Sequence, residues 1–364
     1  MRLFQNAGLY KSYIPRLRAL SVQESTFEGL RRVFLQDRFG AAHVLQPILC
    51  GEPTAFFTNA DDEMLQQAWA RAAGLPRRTS HEEILRSQIE AHRADVFYNS
   101  DPMRYGSAFI RRLPACVKLS VAWRAAPSPG ADFSAYDLVV CNFPSILRQF
   151  EAKGWRTALF YPAHDPAMDQ YSVNEDRPVD VLFAGSYSRH HQNRATTLVA
   201  VAALADHRNV VLYLDVSRAT RVAESPIGRL APLGRFRRPA AIRMLSQPPV
   251  FGRALYAALA SSKIVLNAAI DMAGAERGNM RCWEAYGCGA LMVSDAGVYP
   301  PGMVDDVTMR LFNAPKDAAR TIEAALSDES KRRALAAAGQ RMISTQYSKQ
   351  RQWTDFQRLC GENS

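Results

Sequence analysis

The sequence predicts an α/β protein of two domains, each a mostly parallel sheet with helices on both faces. Three observations predict it. At 364 residues the chain is too long for one ordinary core. Short apolar runs alternate with stretches of helical spacing, which is the pattern of parallel sheets. The composition, 48% apolar and 22% charged, is that of a soluble globular protein, and no apolar run is long enough to span a membrane.

Taken in order, residues 2–5 predict a strand and Asn6-Ala7-Gly8 a turn. In residues 26–38, Phe27, Leu30, Val33 and Phe34 recur at helical spacing. Residues 43–49 read as a strand. Residues 61–73 and 80–91 read as helices, the second opened by Ser80 and Glu83 as a capping box. Strands follow at 94–99, 117–123 and 138–141, with a loop at 127–130. A helix at 145–153 and a strand at 158–161 close a first domain, residues 1–165. Residues 162–178 contain Pro162, Pro166 and Pro178 and several acids, the composition of a linker.

The second domain, residues 179–345, opens with a strand at 179–184 that runs into Gly185-Ser186. A helix at 193–205, a strand at 209–215 and a helix at 253–260 come next. Strands at 264–266 and 290–293 flank a loop and a helix. A strand at 309–313 and helices at 316–326 and 330–345 complete it, and residues 346–364 form a final helix. The amino-terminal MRLFQNAGLY reads as a first strand rather than a secretory signal. The six cysteines show no C-x-x-C pair, as expected of reduced thiols in a cytoplasmic protein.

The formal net charge is +10, which draws anionic partners. Basic residues cluster at Arg16 and Arg18, Arg31-Arg32, Arg111-Arg112 and 235–243, without a nucleic-acid-binding motif. A phosphorylated substrate, or peripheral contact with an anionic membrane, fits this charge better than nucleic acid. No G-x-S-x-G, H-E-x-x-H, Walker-type or G-x-G-x-x-G pattern is present, so hydrolase, metalloprotease, P-loop and dehydrogenase readings lack a motif.

The most informative stretch is residues 262–295. A buried strand precedes a loop, 267–279, with Asn267, Gly274, Gly278 and Asn279. A short helix, 281–286, stops at Gly287 or Gly289, and a second strand ends at Ser294-Asp295. Ligands of such units sit at the carboxyl ends of the strands. Glu276 and Glu284 are separated by seven residues.

E-x7-E followed by A-x-x-C-G-x-x-x-V resembles the donor-site signature of retaining glycosyltransferases of GT-B architecture, two Rossmann-like domains facing each other across a cleft. S-K-I-x-L-N with R-x-x-E-A-x-x-C-G is most similar to their CgeB-like branch. The resemblance makes Glu284 the acceptor of ribose hydroxyl hydrogen bonds from a nucleotide-sugar, a role suited to an acceptor-only carboxylate. Glu276 would face the sugar or the phosphates. The alternative is a surface helix with two solvated acids.

Gly185 and Ser186 resemble the phosphate-side loop of these enzymes, since glycine lets backbone amides approach an anion at a helix start. Arg189 and Arg194 follow and could neutralise a diphosphate; each could equally be a solvated side chain. Asn267 ends a strand at the ligand side. Lys263 supplies a point charge suited to phosphate, but it begins its strand and could lie at the sheet's other end. Arg281, three residues before Glu284, would either pair with it or bind phosphates. His164-Asp165 could touch the sugar or be a solvated linker pair. In the first domain Asp101 is the candidate acceptor-side acid. No histidine stands at metal-ligand spacing, and no metal is expected.

The sequence therefore predicts a cytoplasmic glycosyltransferase, with a nucleotide-diphosphate sugar (UDP-sugar first) as co-substrate and no other cofactor. Its acceptor would be a glycan, lipid-linked or protein acceptor. A nucleotide-sugar epimerase of the same architecture, or a non-catalytic assembly protein with a decayed donor site, are the rival readings.

Overall fold

The computed structural model describes residues 1–187, 191–229, 233–270 and 273–362. The chain divides into two compact units. Unit 1 is Met1–Ala163 with Met272–Glu276 and Tyr347–Ser364; unit 2 is His164–Asp271 with Arg277–Gln346.

In unit 1, strands β1 (Leu3–Asn6), β2 (Ala55–Thr58), β3 (Val96–Asn99), β4 (Leu119–Trp123), β5 (Leu138–Cys141) and β6 (Thr157–Leu159) form one sheet in the order β2-β1-β3-β4-β5-β6. Every pairing is parallel. β1, β3, β4 and β5 are buried along their whole length, which is why they read as unbroken apolar runs rather than alternating ones. The helix His81–His92 starts at a complete capping box of Ser80 and Glu83, a device that contributes about 1 kcal/mol.

The carboxyl-terminal helix Lys349–Glu362 also packs in unit 1. Its Phe356 lies 5.0 Å from the Tyr98 ring and 5.8 Å from Phe160. Lys349 Nζ donates to the carbonyls of Ala41, Ala42 and Val44 at 2.7, 3.1 and 2.7 Å, so a buried ammonium closes that turn.

Residues 43–49 do not form the expected strand. They lie in a 3-10 turn, Ala41–His43, and a helical turn, Gln46–Leu49, with proline in its first positions. A short apolar run fits a buried helix as well as a strand, and periodicity alone does not separate them. The strand of this region is β2, whose paired phenylalanines carry the β-propensity.

In unit 2, β7 (Val179–Ser186), β8 (Val210–Asp215), β9 (Ser246–Gln247), β10 (Ser262–Asn267), β11 (Leu291–Asp295) and β12 (Met309–Phe312) form a second sheet in the order β12-β11-β10-β7-β8-β9. It too is wholly parallel. Val181, Leu212, Ile264, Leu266, Leu291 and Val293 face its core with Leu198 and Ile322 from flanking helices. Counted within the unit, this is the dinucleotide-fold order 3-2-1-4-5-6, which reverses between β7 and β10. In unit 1 the reversal falls between β1 and β3.

Residues 162–178 are more structured than a linker. They contain a 3-10 turn, Pro166–Met168, and a helical turn, Asp169–Ser172, and Met168 is fully buried.

Candidate functional site

The strand-order reversal of unit 2 opens between the carboxyl ends of β7 and β10, and Arg194 spans it. This side chain comes from the first turn of the helix Gln192–Ala202 and is only 7% exposed. Its Nε donates to Ala268 O at 2.8 Å, just past β10, and Nη1 donates to Ser186 O at 3.2 Å, at the end of β7. The guanidinium also lies 5.7 Å from the Phe183 ring centroid. Gly185 permits that packing: a Cβ there would come within 3.0 Å of the same ring. Arg194 is therefore a fixed, desolvated cation at the point where such folds bind ligands, and not a solvated side chain.

Next along the sheet, β10 leads through a loop to the helix Met280–Gly287. Cys282 to Gly287 are all buried, so the helix runs inside the unit. Glu284 sits in its middle at 4% exposure. Arg281 Nη1 donates to its Oε2 at 2.6 Å, while Oε1 accepts no hydrogen bond from the described residues. Burial pushes the Glu284 carboxyl above its ordinary range, and the Arg281 charge and hydrogen bond pull it back. Arg281 Nε is buried without an acceptor. An ion pair with one open acceptor and one orphaned donor is costly inside a protein, and such features cluster at functional sites. The helix ends at Gly289, whose φ of +70° and proximity to Ser172 O, 2.8 Å from a built Cβ, require glycine.

Asn267 is at the carboxyl end of β10, but its bonds are internal. Its Nδ2 donates to Ser294 Oγ at 3.0 Å, and its Oδ1 accepts from Asn279 Nδ2 at 3.0 Å. Asn267 thus fixes the start of the Glu284 helix. Beside it lies a group that the sequence reading missed. Asp295 accepts from Ala269 N at 2.9 Å and from Arg277 Nε at 2.5 Å, and Tyr299 Oη donates to Ser294 Oγ at 2.6 Å. Treating the last residue of every strand as a candidate, as for Asn267, would have found Asp295.

The remaining candidates separate from this group. Lys263 is at the amino end of β10, 2.6 Å from Asp180, on the far edge of a parallel sheet from Arg194. Arg189 lies outside the described residues. Glu276 groups with unit 1. Both its carboxylate oxygens accept from Ser145 N at 2.9 Å, and Ser145 Oγ donates at 2.7 Å, so it caps the helix Pro144–Glu151. His164 and Asp165 are not a solvated pair. His164 Nε2 is 2.9 Å from Asp169 Oδ1. Asp165 is fully buried, accepting from Ala167 N at 3.1 Å and Tyr256 Oη at 3.2 Å.

At the reversal in unit 1 the chemistry is different. Asn6 Nδ2 donates to Asn99 Oδ1 at 2.9 Å, and Asn99 Nδ2 donates to Tyr136 Oη at 2.6 Å. Asp101 follows, 3.2 Å from Arg104 Nε. A second acid, Asp61, accepts from Leu9 N at 3.0 Å. Burial, and secondarily the charge of Asp101, holds the Asp61 carboxyl above its ordinary range. The sequence reading nominated Asp101 alone, because Asp61 comes from a loop after the unrecognised strand β2. Among the described residues no group of three or more His, Cys, Asp or Glu side chains could hold a metal ion, and no helix is long and apolar enough to cross a membrane.

Residues 208–358 match the family model described as glycosyl transferase-like. The crystal structure of Anabaena HepE in complex with UDP and glucose is similar over 99% of this chain and 99% of its own, at 15% identity and a TM-score of 0.58. A glycosyltransferase from Rickettsia africae is similar over 99% and 98%, at 11% identity and 0.53. Sucrose-phosphate synthase of Thermosynechococcus elongatus is similar over 99% and 98%, at 13% identity and 0.52. No curated protein matches by sequence.

Proposed function

We propose that this chain, whose residues 208–358 match a glycosyl transferase-like model and whose fold is similar to that of HepE, is a glycosyltransferase of GT-B architecture that moves a sugar from a nucleotide-diphosphate donor, with unit 2 holding the donor. UDP-sugar is the first choice, as HepE was crystallised with UDP and with UDP-glucose. One observation carries the reading: Glu284 is buried, charged against Arg281 through Oε2, and open at Oε1. An oxygen of that kind accepts from a ribose hydroxyl, and the Arg281 charge and hydrogen bond oppose the upward push of burial on the carboxyl.

Arg194 and the Gly185-Ser186 end of β7 serve the diphosphate. Departure of the nucleoside diphosphate leaves negative charge on the bridging oxygen. A guanidinium fixed by carbonyls and helped by the start of the Gln192–Ala202 helix stabilises that charge without having to reorganise. Removing one such donor typically costs ~3 kcal/mol of barrier. Asn267 acts by positioning the Glu284 helix.

Unit 1 takes the acceptor, a glycan, lipid-linked or protein hydroxyl, near Asp101 and Asp61. Glu276 caps the helix Pro144–Glu151 in unit 1. The E-x7-E resemblance favours retention at the anomeric carbon, which the product's anomeric proton coupling reports.

The test is incubation of labelled UDP-glucose and other UDP-sugars with candidate acceptors. Label in a new glycoside is the expected result. Release of a free epimer, or no turnover with any donor, would overturn the reading.

A further inference from the structure

Unit 2 has a pocket at the end of its sheet opposite Arg194. Its volume is about 470 Å³, within the range of small-molecule sites. Arg177 stands two residues before β7, Lys263 is the second residue of β10 and Gly289 stands two residues before β11, and all three line it. Because these strands are parallel, the pocket lies at their amino ends. Arg332, Arg333 and Arg341 complete one wall from the helix Glu329–Gln346.

The charges in this pocket are poorly balanced. Lys263 is taken by Asp180 at 2.6 Å. Arg177 donates to four carbonyls, Ser172 O, Asn174 O, Ser262 O and Cys288 O, at 2.9 to 3.3 Å. Those bonds fix the guanidinium without neutralising it. Arg332, with 9% of its side chain exposed, has Glu329 at 3.8 Å as its nearest acid, and the same Glu329 oxygen is held by Arg333 at 2.7 Å. Arg341 has no ion-pair partner among the described residues. Four guanidinium groups thus face two carboxylates, Glu175 and Glu329.

Like charges held together and partly out of water destabilise a fold unless something repays the repulsion. Burial and the neighbouring arginines both lower the affinity of Arg177 for its proton. Arginines fixed in a fork geometry match the oxygens of a phosphate. We propose that this pocket is a second anion site, taking a phosphate-bearing ligand at the amino ends of the unit 2 strands. It is separate from the donor site; only the use of UDP to block that site rests on the donor reading, and the tungstate soak does not. The phosphate can belong to a free metabolite or to a phospholipid headgroup.

Crystals soaked in tungstate, a heavy phosphate analogue, locate the site directly. An anomalous peak between Arg332 and Arg341 is expected, and its absence would overturn the proposal. In solution, pyrophosphate binding is measured by calorimetry with the parent chain saturated with UDP. The double variant Arg333→Glu/Arg341→Glu is compared with it, both positions being exposed and outside the donor site. About tenfold weaker pyrophosphate binding, with UDP affinity unchanged, supports the proposal; unchanged pyrophosphate binding contradicts it. A parallel arm sediments the protein with phosphatidylglycerol or phosphatidylcholine vesicles. Capture by the anionic vesicles alone, lost in the double variant, assigns a lipid headgroup; no capture with pyrophosphate binding intact assigns a free phosphate.

Discussion

The two sheets reverse their strand order at equivalent places, β1/β3 in unit 1 and β7/β10 in unit 2, yet fill those places with opposite chemistry. Unit 1 offers amides and two acids: Asn6, Asn99, Asp61 and Asp101. Unit 2 offers a desolvated guanidinium, Arg194, and an ion pair, Arg281 with Glu284. Acids and amides suit neutral hydroxyls, and guanidinium groups suit a diphosphate. Under the proposed function, one architecture used twice gives two specificities through the residues at the strand ends, a common way for shared folds to diverge.

The largest expected effect is that of Glu284→Ala. It leaves Arg281 charged and unpaired inside unit 2, which costs about 3 kcal/mol of stability by chemical denaturation. Sugar transfer should fall about 100-fold or more through lost donor grip and positioning. Arg194→Ala orphans the carbonyls of Ser186 and Ala268, at about 2 kcal/mol, and should weaken UDP binding. Arg194→Lys keeps the charge but loses the bridge, so it should recover little. Equal UDP affinity in all three chains would break the contrast between the units.

Unit 1 should be distinguished by its pH response. Burial and the charge of Lys349 lower His43 from its ordinary 6.5 to about 3. The folded chain therefore binds fewer protons there than the unfolded one, and stability is lost as pH falls below 6.5. The loss is about 1.4 kcal/mol per pH unit until the folded value is reached. His43→Phe should flatten that slope in acid denaturation curves. Glu284 contributes with the opposite sign: its raised folded value means stability is lost as pH rises past 4.5. The smallest effect is that of Glu276→Ala, which removes the cap of Pro144–Glu151 at about 1 kcal/mol.

Unit 2 was the more legible part of the chain. β7, β10 and β11 carry aliphatic runs, though the two-residue β9, Ser246–Gln247, carries none, and the helix after β10 carries its acid at a recognisable spacing. The character of Arg194 was not legible, because nothing in one sequence distinguishes a solvated arginine from one stapled to Ala268 and Ser186. The cap made by Glu276 was hidden for a related reason: its partner, Ser145, is distant in sequence, so no local pattern reveals it. In unit 1 the error at 43–49 followed from a run too short for its period to decide. Asp61 was lost along with β2.

The most direct test is UDP affinity, by calorimetry, of Glu284→Gln beside Glu276→Ala. The first keeps the shape of the side chain and removes its charge; the second removes only a cap in the other unit. The account predicts about tenfold or greater weakening for Glu284→Gln and none for Glu276→Ala. UDP binding to Glu284→Gln as tight as to the parent chain would contradict it.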